Sequence, residues 1–228
     1  MVIEILFQEV CGLYGDSQNP IYIQATLPDA TFVYTKLTDT PYFAENTPDM
    51  IYIGCMNEST QRRVIEKLMP FKDRLHQLID GGTLILATGN AGEIFAKEIN
   101  YVSEKLHVDA LGVFDLTVKT DLFNRYNGVV LGDMNGMKIT GFRSQFSFLY
   151  GDNSNFPFII CEHGIGINPD SKLEGMRKNN LICTQLIGPI LPLNPLFCEY
   201  LLKLCGCDAP AAYRTEALAA YEQRLSEF

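Results

Sequence analysis

Two short, predominantly apolar runs, MIYIGC at 50–55 and TLILAT at 83–88, flank a segment whose apolar residues return at helical spacing: Val64, Leu68, Met69, Leu75 and Ile79. A strand without polar alternation is buried on both faces, and a helix joining two such strands is the crossover of a parallel sheet. That unit restricts the chain to an α/β architecture with helices on both faces of the sheet. Pro70 kinks or splits the helix, and Gly81–Gly82 stop it. Upstream, Val2–Phe7 and ATFVYTKL at 30–37 read as further strands. Between them LYGDSQNP at 13–20 is turn chemistry, with Asn19 and Pro20 opening a short helix. Downstream, GNAGE leads into a helix predicted to carry Ile94, Phe95 and Ile99.

From about Gly112 the pattern changes. Short β-like runs appear (LGVFD, GVVLGD, KITGF, FSFLY, FPFII, LICTQL), separated by Gly, Asn and Asp, which predicts an antiparallel or mixed extension of the same sheet. LNPLFCEYLLKLCG at 193–206 is an amphipathic helix with Asn194 as cap and Pro195 as first residue. Ala209–Phe228 is a terminal helix. No repeat, low-complexity tract or linker interrupts the 228 residues, so the expectation is one domain over 1–228. It would be α/β, with a mostly parallel central sheet flanked by helices and an antiparallel extension in the second half.

Charge and cysteine usage narrow the function classes. A net charge of −9 argues against a nucleic-acid partner and against docking on an anionic membrane, because both attract Lys and Arg. The seven cysteines are odd in number and sit mostly in apolar runs such as FIIC and LICT, which predicts free buried thiols in a reducing compartment. MVIEILFQEV has an acid and no Lys or Arg, unlike a signal peptide, and no run approaches ~20 apolar residues. The expected location is cytoplasmic. Cys205-x-Cys207 lacks a second pair or a nearby His, so neither a metal nor a cofactor is expected. TGNAG after a strand lacks the Lys and Ser/Thr of a nucleotide loop.

Three segments in order, LYGDSQN at 13–19, TLILATGNAGEIF at 83–95 and EGMRKNNLICTQLIGPILPLNP at 174–195, resemble the cobyric-acid-synthase type of class I glutamine amidotransferase. IYIGC at 51–55, LGVFDLTVKT at 111–120, Gly141–Phe142 and GIGIN at 164–168 support it. Within that type the resemblance points to the glutaminase subunits of lipid II isoglutaminyl synthase, which work beside a Mur-ligase-like subunit. It implies a class I amidotransferase-like fold of peptidoglycan or cobalamin biosynthesis type. It also implies a protein partner of the Mur-ligase kind, with a homo-oligomer as the other option.

The resembling chemistry needs a Cys nucleophile on a sharp turn, a His base and a loop whose N–H groups bind the oxyanion. The implied positions are degenerate here. Thr88 stands for the nucleophile, where the pattern Cys-Gly-Gly-Tyr-Gln reads Thr88-Gly89-Asn90-Ala91-Gly92. Ile187 stands for the base, and the oxyanion loop is reduced to Gly54-Cys55-Met56. Arg143-Ser144-Gln145-Phe146-Ser147 replaces a Glu-Asn-His-Gly-Gly segment. Gly54, Cys55, Gly89, Asn90 and Gln145 would then line a vestigial substrate pocket.

Threonine is a poor nucleophile without an adjacent base, and its β-branch disfavours a strained turn, so Thr88 reads as a strand-end residue. Of the three histidines, His76 lies on a helix and His107 in a linker, leaving His163 at a strand end as the candidate acid or base. Asp16 reads as an Asx turn. The expected function is a catalytically degenerate amidotransferase-like subunit acting as scaffold or regulatory partner. The alternatives are an active amidotransferase or hydrolase with Cys55 as relocated nucleophile, and a small-molecule amide sensor.

Overall fold

The computed structural model describes residues 1–228. The first half contains β1 (Val2–Leu6), α1 (Gln18–Thr26), β2 (Thr31–Thr35), β3 (Met50–Ile53), α2 (Glu58–Leu68), α3 (Lys72–Asp80) and β4 (Leu84–Thr88). Next come β5 (Glu98–Tyr101), β6 (Leu106–Asp109), β7 (Thr117–Thr120), β8 (Tyr126–Met134), β9 (Met137–Gln145) and β10 (Ser147–Tyr150). The chain closes with β11 (Ile159–His163), β12 (Leu173–Glu174), β13 (Met176–Lys178), β14 (Leu181–Thr184), α4 (Ile190–Leu193), α5 (Pro195–Leu204) and α6 (Arg214–Leu225).

The central sheet has the order β13-β14-β4-β3-β1-β2, parallel except for β13 at its edge. Successive residues of each strand face opposite layers, as the pleat requires. Ile51, Ile53, Ile85, Ala87, Leu181 and Cys183 join one core with α2 and α3. Met50, Tyr52, Leu84, Leu86 and Ile182 join the other with α1 and α5. The chain winds outward in both directions from β1 and β3, so the carboxyl ends of these strands form a topological switch point, the usual position of a ligand crevice.

The second half is predominantly antiparallel; β13 and β14 lengthen the central sheet, as expected of LICTQL, while its other strands form two further sheets. One is β10-β7-β5-β6, the other β12-β11-β8-β9. A single bridge, Phe142 to Ile187, ties β9 to the segment after β14.

Several local expectations change. Residues 89–95 form a 3-10 turn rather than the start of a helix, and Ile99 lies in β5. Six of those seven residues are buried, so the segment has no polar face to turn toward solvent. LGVFD is not a strand: Gly112 has φ +65, and residues 110–114 fold back onto the 3-10 turn through bonds such as Leu111 N–H to the Ile94 carbonyl. Pro70 does divide the second helical segment, through a 3-10 turn at Met69–Phe71. The cap of α2 is Asn57, which accepts from the Thr60 N–H at 2.8 Å.

Asn19 lies inside α1, whose cap position is Ser17, whereas Asn194 does stand at the cap position of α5 with Pro195 first in the helix, although its side chain makes no capping bond; both side chains are used across the structure instead. Asn194 accepts from the Thr140 N–H at 2.8 Å and donates to the carbonyls of Thr140 and Ile190, also at 2.8 Å. It thereby does for β9 what a neighbouring strand would do. Leaving buried backbone groups unpaired costs ~1–3 kcal/mol each, so Asn194→Ala is expected to destabilise the protein by ~2–4 kcal/mol. A lowered urea midpoint at unchanged slope checks this. A midpoint within error of the native protein would show that water satisfies β9 instead.

Candidate functional site

The segments following β1, β3, β4 and β14 converge on a cleft of about 140 Å³. Cys55, Met56, Gly89, Asn90, Glu93, Gln145, Gln185 and Ile187 line it, with Tyr14, Glu58 and Arg125 also contributing. Four of the residues expected there on sequence grounds, Cys55, Gly89, Asn90 and Gln145, are therefore together, and Ile187 is beside them. Gly54 lies just behind: a Cβ there would stand 2.8 Å from the Cys11 carbonyl, so only glycine lets the loop pass. His163 is exposed at the end of β11 with its ring 5.3 Å from that of Phe228, and it is not part of the cleft lining. His107 lies in β6 beside Asn100 and Asp109, and His76 meets the Leu111 carbonyl at 2.9 Å.

Thr88 is buried in extended backbone, φ −112 and ψ 148. Its hydroxyl donates to Asp16 Oδ2 at 2.6 Å and lies 3.0 Å from the Tyr52 hydroxyl. The residue in the left-handed backbone region is the next one, Gly89, with φ +60. A Cβ built on Gly89 would stand 2.7 Å from Cys55 Sγ and 2.9 Å from Ile187 Cγ2. Position 89 therefore projects into the cleft between Cys55 and Ile187, while the Thr88 side chain is held in the Asp16 network.

Asp16 is the hub on that side. Its carboxyl accepts from the Cys55 N–H at 2.8 Å, from Thr88 and from the Gly188 N–H. Burial raises its pKa to about 6 against the pull of these donors. Asn19 donates to the Tyr52 hydroxyl at 2.9 Å and accepts from the Leu191 N–H at 2.9 Å, which joins LYGDSQN to GPILPLNP in one network.

Burial, followed by the charge of Asp16, pushes the Cys55 thiol far above the ordinary range, and Glu93 and Glu58 add to the effect. Such a thiol carries no thiolate at neutral pH. Asn90 fixes the loop above it: its Oδ1 accepts from the Met56 N–H at 3.0 Å, and its Nδ2 donates to the Met56 carbonyl at 2.7 Å.

The floor of the cleft was not legible from sequence. Glu93 accepts from Ser147, from Gln185 Nε2 at 3.1 Å and from Gln61 Nε2 at 2.9 Å. Burial raises its carboxyl to about 7. Gln145 and Gln185 both accept from the buried Arg143, whose guanidinium also donates to the Ile165 and Gly166 carbonyls. Behind it, Glu174 accepts from Thr184 and from the Gln185 N–H at 2.8 Å. Arg125, at the mouth, lies 4.6 Å over the Phe146 ring and donates to the Tyr14 hydroxyl.

No family model matches the chain. It is 26% identical over 197 residues to the subunit GatD of lipid II isoglutaminyl synthase (glutamine-hydrolyzing) from Staphylococcus aureus, covering 84% of this chain and 79% of that protein. A crystal structure of a glutamine amidotransferase superposes with a TM-score of 0.56 at 13% identity, covering 91% of this chain and all of that one. A glutamine amidotransferase from Thermotoga maritima gives 0.54 at 9% identity, covering 89% and 81%. The fold is glutamine amidotransferase-like. The crevice at the switch point is the cleft described above. No helix of the chain is long and apolar enough to cross a membrane.

The raised carboxyls give a signed pH dependence. An acid whose folded pKa exceeds its unfolded value contributes stability that is complete below the unfolded pKa and lost as pH rises through the folded one. For Asp16 that window runs from about 4 to about 6. Asp16→Asn is expected to remove up to one proton of linkage there, ~1.4 kcal/mol per pH unit at most. Urea unfolding at several pH values checks this: identical slopes for mutant and native protein would mean that Asp16 titrates as it does in the unfolded chain.

Proposed function

We propose that the chain is a catalytically degenerate glutamine amidotransferase-like subunit, a scaffold or regulatory partner of a Mur-ligase-like synthetase. The observation that carries this reading is Gly89. A nucleophile in this architecture sits on a strained strand-to-turn residue, where its side chain meets a base and the oxyanion donors. The residue in that left-handed conformation here is a glycine, and the side chain across from it is Ile187, which cannot accept a proton. Cys55 supplies the only sulfur on the cleft wall apart from Met56, but it is held as the neutral thiol with no cation or His against it. The likeness to a protein named as one subunit of a synthase supports a protein partner. The net charge of −9 favours a partner with a positive face, whose association weakens as salt rises.

The direct test is ammonia release from glutamine, expected to match a denatured blank. Steady release abolished by Cys55→Ala would instead support the relocated nucleophile. Pull-down from native lysate at low and high salt tests the partner, with a Mur-ligase-like ATPase as the expected capture.

The double variant Thr88→Cys with Ile187→His is expected to remain inactive. Its new thiol would lie beside Asp16 and Tyr52, and loss of a nucleophile–base unit costs on the order of 10⁶ in turnover. Turnover within ~10-fold of an active amidotransferase in that variant, against typical enzyme rates, would place the reactive position at 88 and overturn the assignment to 89.

A further inference from the structure

In an amide-hydrolysing site of this architecture, backbone N–H groups after the second central strand would receive the oxygen of the ligand's carboxamide. In this chain both such groups are already taken. The Cys55 N–H donates to Asp16, and the Met56 N–H donates to Asn90 Oδ1 at 3.0 Å. The Cys55 thiol also points at Asn90 Oδ1, at 3.6 Å. The other half of the Asn90 amide is used as well, since Nδ2 donates to the Met56 carbonyl at 2.7 Å. A primary carboxamide thus lies against the loop with its oxygen at the donors and its nitrogen on a carbonyl. It belongs to the chain itself, on the residue next to Gly89.

We infer that the side chain of Asn90 is an internal ligand, occupying the place where the carboxamide of an outside amide would dock. This rests on the degenerate reading above and deepens it: the inner end of the cleft is closed to amides by a built-in competitor as well as lacking a nucleophile. The second bond matters to the argument. A side chain that only capped the Met56 N–H would leave a carbonyl free for an incoming amide nitrogen, whereas the two-point pairing blocks both groups. The Asn90 backbone carbonyl is also held, by Gln61 Nε2 at 2.7 Å, so its side chain is aimed from a fixed base.

The consequence is a latent binding site. An occupant present in more than nine molecules in ten lowers the apparent affinity of a competitor by at least ~10-fold, and removing it restores that factor. Isothermal titration with L-glutamine, with L-glutamate as the control lacking an amide, reads the difference. The native protein is expected to show no saturation by glutamine up to ~10 mM, a range in which binding is weaker than about −3 kcal/mol. Asn90→Gly should bind glutamine at least ~10-fold more tightly than the native protein and not gain for glutamate. Asn90→Asp, which keeps an acceptor against Met56, should not gain for glutamine.

If Asn90→Gly does not fold, Asn90→Ser is titrated instead, being too short to reach both Met56 groups. Amide exchange at Met56 provides a second reading: it should be protected in the native protein and faster in either short variant. Equal glutamine affinity in the native protein and a folded short variant, or gain in the Asp variant equal to that in the Gly variant, overturns the inference. Ammonia is measured in the same samples. Release by the native protein would overturn the degenerate reading, whereas absent release with no gain in binding overturns only the role of Asn90.

Discussion

The buried carboxyl of Asp16 holds together the ends of the strands on which the cleft is built. One oxygen accepts from the loop after β3 through Cys55 and from the end of β4 through Thr88, and Gly188 adds the segment after β14. Tyr52 and Asn19 extend the contact to Leu191. Isolated carboxylates are costly to bury, and this one persists because each polar neighbour is aimed at it. The same balance explains why its pKa rises in spite of three donors: burial is the larger effect. The two most specific strings of the sequence, LYGDSQN and GPILPLNP, are the two ends of this one network. Their presence therefore reports on the scaffold and says nothing about turnover.

A second network sets the floor. Arg143 lies between Glu93 and Glu174, reaching the first through Gln185 and held to the second by charge. Removing one partner from such a group would leave an uncompensated buried charge, which costs far more than the pairing contributes. The cleft wall is consequently rich in acceptors, with its one exposed cation, Arg125, at the mouth.

The elements of the first half were legible because buried parallel strands and amphipathic helices write strong periodic signals into 50–88. The helix expected after Gly89 failed because periodicity cannot register that a segment is enclosed on every side. The separate sheets of the second half were hidden for a related reason: alternation reports a strand but not its neighbour. At the cleft, Cys55, Gly89, Asn90 and Gln145 were found through resemblance to a motif. Glu93 and Gln185 were not, since a polar residue beside an apolar run carries no sign of burial in the sequence, and Arg143 was marked only as a departure from the motif. The register of the turn was the finest detail. The motif implies Thr88 for the nucleophile position, and the positive φ belongs to its neighbour Gly89, a detail no motif count reports.

Chemistry and fold are separable in such a site, because a group that reacts is a side chain on a position whose backbone does the structural work. Ile187 keeps its bridge to Phe142 whatever side chain it carries. Gly89 keeps the turn more easily than a residue with a Cβ would, since positive φ is strained for all but glycine. The space beside Gly89 is filled. Where a Cβ at 89 would stand, Cys55 and Ile187 approach to 2.7 and 2.9 Å, well inside ordinary van der Waals contact. Close-packed interiors do not hold a substituent and its replacement at once. A side chain fits at 89 only if 55 and 187 change with it, so substitution at 89 alone is unfavourable and the three changes together are not the sum of their parts.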